Sequence, residues 1–160
     1  IFNQLEIGVI SSKVFIKNMQ KILSKSTEKE LINAWNLMLL DLPQTRLDYI
    51  KILKKKYKLF LLSNTNEIHI NAIKNKIGEQ EWMNFYNLFD KVYLSHLIGL
   101  RKPDQEAFKI ILKENKLIPK EVLFIDDSLQ HIKTAKKLGL NYHHLKVRDE
   151  LTSIIPDIAL

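Results

Sequence analysis

Two adjacent carboxylates, Asp126 and Asp127, directly follow the apolar residues 122–125. Carboxylates held side by side in a crevice repel each other, and the pair is costly unless a cation neutralises it. Magnesium suits such a pair because it takes few protein carboxylates, keeps several waters and commonly bridges to a phosphate. A helix cap at Asp127 or Ser128 would explain one acid and leave Asp126 unexplained. The pattern therefore favours a magnesium site formed by Asp126 and Asp127.

A serine stands at the end of another apolar run. Ser63 follows residues 59–62, and its hydroxyl, together with neighbouring backbone N–H groups, is suited to hold a phosphate oxygen. The same segment also has a purely structural interpretation, because Asn66 and Glu67 have the side chains expected at the start of a helix. Both interpretations stay open on this segment alone.

A lysine lies between these two groups in the sequence. Lys102 precedes Pro103, whose ring restricts the lysine backbone, so the ammonium group could reach a crevice and stabilise a carboxylate and a transferring phosphoryl group. The alternative is structural, with Pro103 fixing the start of a helix and Asp104 in its first turn. A single lysine does not decide between the two.

Hydrophobic periodicity predicts the elements that position these residues. From residue 58 onward, short apolar runs alternate with helical patterns, which is typical of βαβ units and a parallel sheet. Ligands gather at the carboxyl ends of parallel strands, where the three polar groups fall. Right-handed crossovers would place helices on both faces of the sheet. The predicted strands are 59–63, 91–95, 122–126 and 142–145, and the predicted helices are 67–77, 81–87, 105–115 and 129–138.

The first part of the chain has helical periodicity only. Thr27 and Glu30 have the spacing of a capping box, and Pro43 suits the first position of a further helix. An all-helical opening followed by an alternating remainder separates a small cap from an α/β core. We expect a helical cap at residues 1–45 and an α/β core at residues 46–160.

The composition excludes several classes of protein. The 160 residues contain no cysteine, which rules out a disulfide framework, a cysteine-ligated zinc and a thiol nucleophile. No apolar run approaches the roughly 18 residues of a membrane span. The formal net charge is +7, but the lysines fall mainly on the solvent faces of predicted helices. We therefore expect a cytoplasmic protein whose partner is a small anionic substrate, with no membrane or nucleic-acid partner.

Together, the three polar groups resemble motifs of the haloacid dehalogenase-like (HAD) hydrolases. Residues 61–64 are similar to that family's second motif, residues 102–104 to its third and residues 124–128 to its fourth, in the family's order. Residues 64–69 and 130–132 are similar to the branch that holds sugar-phosphate phosphatases and the phosphatase domain of bifunctional epoxide hydrolases. The resemblance implies an α/β fold with a Rossmannoid parallel sheet, helices on both faces and a small helical cap.

The resemblance also implies Mg²⁺-dependent hydrolysis of a small phosphate monoester, such as a sugar phosphate. In this family an Asp on the first strand attacks phosphorus, a second Asp two residues later protonates the leaving group, and water hydrolyses the aspartyl-phosphate. On this sequence, Ser63 and Asn64 would bind the phosphoryl group, and Lys102 would neutralise the nucleophile and the phosphate. Asp126 would bind Mg²⁺, and Asp127 would bind it directly or through water.

The sequence departs from the family pattern at the first motif. Residues 1–57 contain no Asp-x-Asp pair, and the first strand of the family lies centrally, between the strands predicted at 59–63 and 122–126. We expect about 30–50 further residues upstream in a parent protein, enough for a strand, a loop and a helix, and little or no turnover by this chain alone. A separate segment or a neighbouring chain would fill the open sheet position, or the flanking strands would pair directly.

Two other functions remain open on the sequence. A haloacid dehalogenase uses a similar Asp nucleophile without magnesium, and the paired acids Asp126 and Asp127 argue against it. A non-catalytic binding or interaction module could retain the fold after losing its active site. The joint presence of Ser63, Lys102 and Asp126 argues against that module, because a scaffold has no need of all three.

Overall fold

Strands and helices alternate from residue 60 onward in the computed structural model, which describes residues 1–154. The fold is of the α/β class with parallel strands, and that prediction is confirmed. The chain divides into two units, Ile1–Gly99 and a second unit that begins at Leu100, and each unit has its own pair of strands. The predicted boundary between a cap at 1–45 and a core at 46–160 stays a prediction.

The first unit begins with four helices, continues with a strand–helix–helix–strand segment and ends on a short helix. Two of its helices, the five-residue first and the four-residue last, have too few residues to give a periodic pattern in the sequence. Its elements are α1 (Phe2–Glu6), α2 (Ser12–Ile22), α3 (Glu28–Asn36), α4 (Gln44–Lys54), β1 (Phe60–Ser63), α5 (Glu67–Ile77), α6 (Glu79–Tyr86), β2 (Lys91–Leu94) and α7 (Ser95–Ile98).

The second unit is a helix followed by a strand–helix–strand segment. Gly139 has a φ of +78° and directly follows Leu138, the C-cap of the second helix, so it occupies the C′ position that the sequence predicts. The elements are α8 (Gln105–Glu114), a 3-10 helix (Pro119–Glu121), β3 (Leu123–Asp126), α9 (Leu129–Lys137), β4 (Asn141–His144) and a 3-10 helix (Leu151–Ser153).

Capping side chains explain where several helices begin. Glu30 N donates to Thr27 Oγ1 and Thr27 N donates to the Glu30 carboxylate, so the predicted capping box is confirmed. Pro43 precedes α4 as its N-cap and is not its first helical residue. Asp104 likewise caps α8, where its carboxylate accepts from Glu106 N, and does not lie in the first turn. Both corrections concern the capping residue and leave the helix in place.

The strands form two separate parallel pairs. β1 pairs with β2, with Ser63 opposite Leu94, and β3 pairs with β4, with Asp126 opposite His144. Within each unit, β1 is hydrogen-bonded to β2 and β3 is hydrogen-bonded to β4. Direct pairing of the predicted strands 59–63 and 122–126 stays a prediction. One edge of β1 and one edge of β3 have no partner strand within the part of the chain that the structure describes.

The first unit is held together by an apolar core around α2 and α3. Trp35 packs against this core and stacks between Phe2 and His69, with ring centroids 5.4 Å and 5.3 Å away. Burial of the apolar core removes a large area from water, and ring stacking adds a smaller contribution. The buried members of the core are Leu5, Phe15, Ile16, Leu31 and Ile68.

His69 connects α5 to α3 through a fixed tautomer. Asn66 caps α5 with its Oδ1, which accepts from His69 N, so its Nδ2 amide faces the ring and donates to His69 Nδ1 at 3.2 Å. Nε2 then carries the proton and donates to the Trp35 carbonyl oxygen at 3.2 Å. Burial lowers the pKa of His69 below its ordinary value, although the bond to Trp35 and the charge of Glu6 act in the opposite direction.

We predict that His69 makes the stability of the chain sensitive to acid. Its pKa is lower in the folded chain than in the unfolded chain, so the unfolded chain takes up the proton first and stability is lost as the pH falls below about 6.5. His69→Gln removes the titrating ring. The loss of unfolding free energy between pH 7 and pH 5, measured by urea denaturation, should be smaller in this variant than in the wild type. Equal losses would contradict the prediction.

Candidate functional site

The Asp126 carboxylate is the centre of a buried polar cluster in the second unit. Asp126 ends β3, and its Oδ2 accepts from Lys102 Nζ at 2.7 Å. Its Oδ1 accepts from His131 Nδ1 and from the backbone N–H of Ser128, both at 2.8 Å. The exposed fraction of the side chain is 7% for Asp126, 11% for Lys102 and 12% for His131. The structure therefore brings together two of the predicted site residues, Lys102 and Asp126.

The turn from β3 into α9 places two of the three donors. Ser128 is the N-cap of α9, but its side chain makes no cap hydrogen bond, and its backbone N–H points back to Asp126. His131 lies in the first turn of α9, from which its ring reaches back to the same carboxylate. β3 thus ends with the carboxylate close to the start of the following helix.

Lys102 reaches Asp126 from the loop before α8. The carbonyl oxygen of Pro103 accepts from Thr134 Oγ1 at 2.9 Å, which ties this loop to α9. The Lys102 ammonium lies 5.7 Å from the centre of the Phe124 ring, and Phe124 packs edge-on against Phe108 at 5.0 Å. The lysine is therefore held over an apolar surface with its charge directed at Asp126.

The neighbours of Asp126 keep it ionised. Burial by itself raises the pKa of this carboxyl, but the Lys102 charge, the Lys102 hydrogen bond and the bonds from Ser128 and His131 outweigh burial and hold the pKa below its ordinary value. An ionised carboxylate accepts hydrogen bonds and does not donate, so the contact with His131 requires a proton on Nδ1. The cluster is a buried anion surrounded by donors.

Asp127 differs from Asp126 in its surroundings. It is exposed, and its backbone carbonyl accepts from His144 Nε2 at 3.0 Å, which gives that histidine a structural role. No group of three or more His, Cys, Asp or Glu side chains in residues 1–154 is arranged to hold a metal ion. Metal binding by Asp126 and Asp127 stays a prediction. Magnesium is commonly coordinated by one or two protein carboxylates.

Ser63 and Asn64 lie in the first unit, at the carboxyl end of β1. Thr65 follows them, and its N–H donates to Ser95 Oγ at 2.9 Å while Ser95 Oγ donates to the Thr65 carbonyl at 2.9 Å. Ser95 is fully buried, so this reciprocal pair fixes the end of β1 to the start of α7. The role of Ser63 and Asn64 in binding phosphate stays a prediction.

Sequence reasoning missed two residues of these local arrangements. His131 stands five positions after Asp126 and within the first turn of a predicted helix, a spacing that could have indicated its contact with the carboxylate. Ser95 follows β2 directly, yet a serine at a strand end gives no signal of a partner thirty residues away. Its importance comes from burial, which only the folded chain shows.

Comparison with known proteins identifies the family. The family model described as "haloacid dehalogenase-like hydrolase" matches residues 14–139, which include the Lys102–Asp126 pair. The chain belongs to the haloacid dehalogenase-like hydrolase family, and the resemblance inferred from the three motifs is confirmed. Among residues 1–154, no helix combines the length and the apolar character required to cross a bilayer.

Individual relatives agree with this assignment. The chain is 34% identical over 140 residues to D-ribitol-5-phosphate phosphatase of Bacteroides thetaiotaomicron, a match that covers 87% of this chain and 68% of the relative. Two further curated relatives are covered over only 18% and 31% of their lengths.

Solved structures match the fold. A mutant HAD family enzyme from B. thetaiotaomicron, crystallised with magnesium and inorganic phosphate, aligns with a TM-score of 0.86 at 33% identity, over 97% of this chain and 77% of that one. A predicted HAD-like hydrolase from Porphyromonas gingivalis aligns with a TM-score of 0.83 at 28% identity, over 97% of this chain and 76% of that one.

We predict that the Lys102–Asp126 pair matters for stability far more than a surface pair. Lys102→Met leaves a buried carboxylate without its cation and should lower the free energy of unfolding by about 3 kcal/mol. The matched control is Lys109→Met, because Lys109 pairs with Glu106 at 2.8 Å while both side chains are about half exposed. The Lys109→Met substitution should lower the free energy of unfolding by only about 0–1 kcal/mol. Urea denaturation measures both, and similar small losses would contradict the prediction.

Proposed function

We propose that this chain is part of a magnesium-dependent phosphatase that hydrolyses a small phosphate monoester. The observation that carries the proposal is the buried ion pair between Lys102 Nζ and Asp126 Oδ2. Phosphoryl transfer depends on positioning and on charge neutralisation, and a buried ammonium beside a buried carboxylate supplies fixed charge of both signs. The phosphatase relative and the relative crystallised with magnesium and phosphate support the same reaction class.

The donor set of the second unit fits magnesium. Asp126 is ionised and offers hard carboxylate oxygens. Asp127, the next residue, is exposed. Magnesium is commonly held by one or two carboxylates and completes its shell with waters and substrate phosphate, so two acids suffice. In this proposal Asp126 and Asp127 hold the ion, which when bound neutralises negative charge on the phosphoryl group.

The remaining residues of the proposed site bind and position the phosphate. The Lys102 ammonium neutralises the phosphoryl group and the attacking carboxylate, which would otherwise repel each other. The Ser63 hydroxyl and the Asn64 amide or backbone donate to phosphoryl oxygens at the end of β1. Lys102 and Ser63 thus take the catalytic roles, and Asn64 helps to bind the phosphate.

The nucleophile of the proposed reaction comes from outside these 160 residues. Asp-x-Asp occurs nowhere in the sequence, although the chain contains several other aspartates. We place the nucleophilic Asp on a strand supplied by a preceding segment of the parent protein or by a neighbouring chain. β1 and β3 each have an edge without a partner strand in residues 1–154, and such an edge is a template for a further strand.

The substrate class follows from the relative. D-Ribitol-5-phosphate is a phosphorylated sugar alcohol, and the proposal is that this protein acts on a sugar or polyol phosphate of similar size. The basic balance of the sequence, +7, favours anionic substrates over neutral ones. The predicted cap, residues 1–45, would then contact the sugar part of the substrate. We also propose that the protein is cytoplasmic.

We predict that the chain alone does not hydrolyse p-nitrophenyl phosphate in the presence of Mg²⁺, because it lacks the nucleophile. A chimera that carries the N-terminal strand of the Bacteroides phosphatase ahead of this chain should hydrolyse it. In that chimera Asp126→Asn should lower kcat by about 100-fold or more, the scale of losing one preorganised electrostatic group.

The control for this experiment is Asp48→Asn in the same chimera. Asp48 pairs with Lys51 on the exposed face of α4, and its loss should leave kcat unchanged. Turnover by a verified, uncontaminated sample of the 160 residues would contradict the missing nucleophile. Unchanged kcat in the Asp126→Asn chimera would remove the metal assignment.

A further inference from the structure

We propose that His131 is a positioning residue that confines cation binding at Asp126 to one oxygen, Oδ2, and so favours Mg²⁺ over Ca²⁺. This inference rests on the magnesium site proposed above and deepens it. It concerns which ion the site accepts, and it assigns the selection to a side chain that does not touch the ion.

Hydrogen bonds already fill one oxygen of the carboxylate. An ionised carboxylate has about four acceptor positions, two on each oxygen. Oδ1 of Asp126 accepts two bonds, one from the Ser128 N–H and one from His131 Nδ1. Oδ2 accepts one bond, from Lys102 Nζ. Among the contacts within residues 1–154, the acceptor position that remains on Asp126 therefore lies on Oδ2.

His131 is the donor on Oδ1 that a side-chain substitution can remove. Its ring lies in the first turn of α9, with only 12% of the side chain exposed. α9 contacts β3, and its residues Ile132 and Ala135 are buried. Thr134 of the same helix is tied to the loop that carries Lys102. The ring is therefore held in place by its own helix, and it does not need a cation to order it.

Mg²⁺ and Ca²⁺ differ in how they are coordinated by a carboxylate. Mg²⁺ demands near-ideal octahedral geometry, whereas Ca²⁺ takes six to eight oxygens and accepts both oxygens of one carboxylate. Binding through both oxygens of Asp126 would require one of the two bonds on Oδ1, from Ser128 or from His131, to break. The His131 bond therefore contributes to the penalty on the coordination that is open to Ca²⁺ and leaves binding through Oδ2 unaffected.

The experiment measures ion preference on the 160-residue chain, without turnover. Mn²⁺ is the probe, and its paramagnetic broadening of the backbone NMR signals of residues 126–128 reports occupancy. Mg²⁺ and Ca²⁺ are then titrated as competitors, and the ratio of their half-displacing concentrations gives the preference. His131→Leu removes the donor at similar bulk. His131→Asn is the matched control, because its side-chain amide nitrogen is as many bonds from Cα as Nδ1 and can donate to Oδ1.

The expected result is a shift of the preference toward Ca²⁺ by about tenfold in His131→Leu, the lower end of the effect of losing a group that orients a metal ligand. His131→Asn should keep the wild-type preference. If the Leu variant does not fold by circular dichroism, His131→Ala removes the same donor and carries the same expectation.

Two results would overturn the inference, and they are distinguishable. If Mn²⁺ broadens the signals and Mg²⁺ displaces it, but the preference is the same in all variants, then the selection by His131 is wrong and the magnesium site stands. If Mn²⁺ leaves the signals of the wild-type chain unbroadened, then the magnesium part of the proposed function fails, and the role of His131 fails with it.

Discussion

The second unit depends on one constraint: a carboxylate buried at the end of β3 must be paired with an opposite charge and hydrogen-bonded. Asp126 meets this condition with an ammonium, an imidazole and a backbone N–H, which come from the loop before α8, from α9 and from the turn between β3 and α9. Removing any one of them leaves a buried charge less well compensated, and that is expensive in a low-dielectric interior. The same groups that stabilise the anion also orient it, so the stability of this unit and the chemistry proposed for it rest on the same contacts.

In the first unit, neutral buried side chains form hydrogen bonds that hold neighbouring elements together. Asn66 caps α5 and fixes the tautomer of His69, which then bonds to the backbone of Trp35 and stacks on its ring. Ser95, also buried, connects the end of β1 to α7 through paired hydrogen bonds. The buried side chains of Asn66, His69 and Ser95 thus each have hydrogen-bond partners. The carboxyl end of β1, where Ser63 and Asn64 lie, is therefore held by specific bonds as well as by apolar packing.

Membership of the haloacid dehalogenase-like hydrolases accounts for the motif order, and the structure shows that residues of two motifs are in contact. Lys102 of the third motif and Asp126 of the fourth form one ion pair, although 23 residues separate them in the sequence. The matching relatives include a sugar-alcohol phosphatase, which gives the proposed reaction its substrate class. Within these 160 residues, the sequence supplies groups that could bind phosphate and magnesium but no Asp-x-Asp nucleophile.

The sequence by itself determined the α/β class, the approximate positions of the four strands found in residues 1–154, and the motifs in which Lys102 and Asp126 lie. These features depend on local patterns: apolar runs, capping residues such as Thr27 and Asn66, and polar residues at strand ends. Tertiary structure decided that β1 and β3 pair with different neighbours, and that His131 and Ser95 are buried partners of distant groups. These could not be predicted because burial and pairing depend on which segments pack together in space, and no local periodicity encodes that choice.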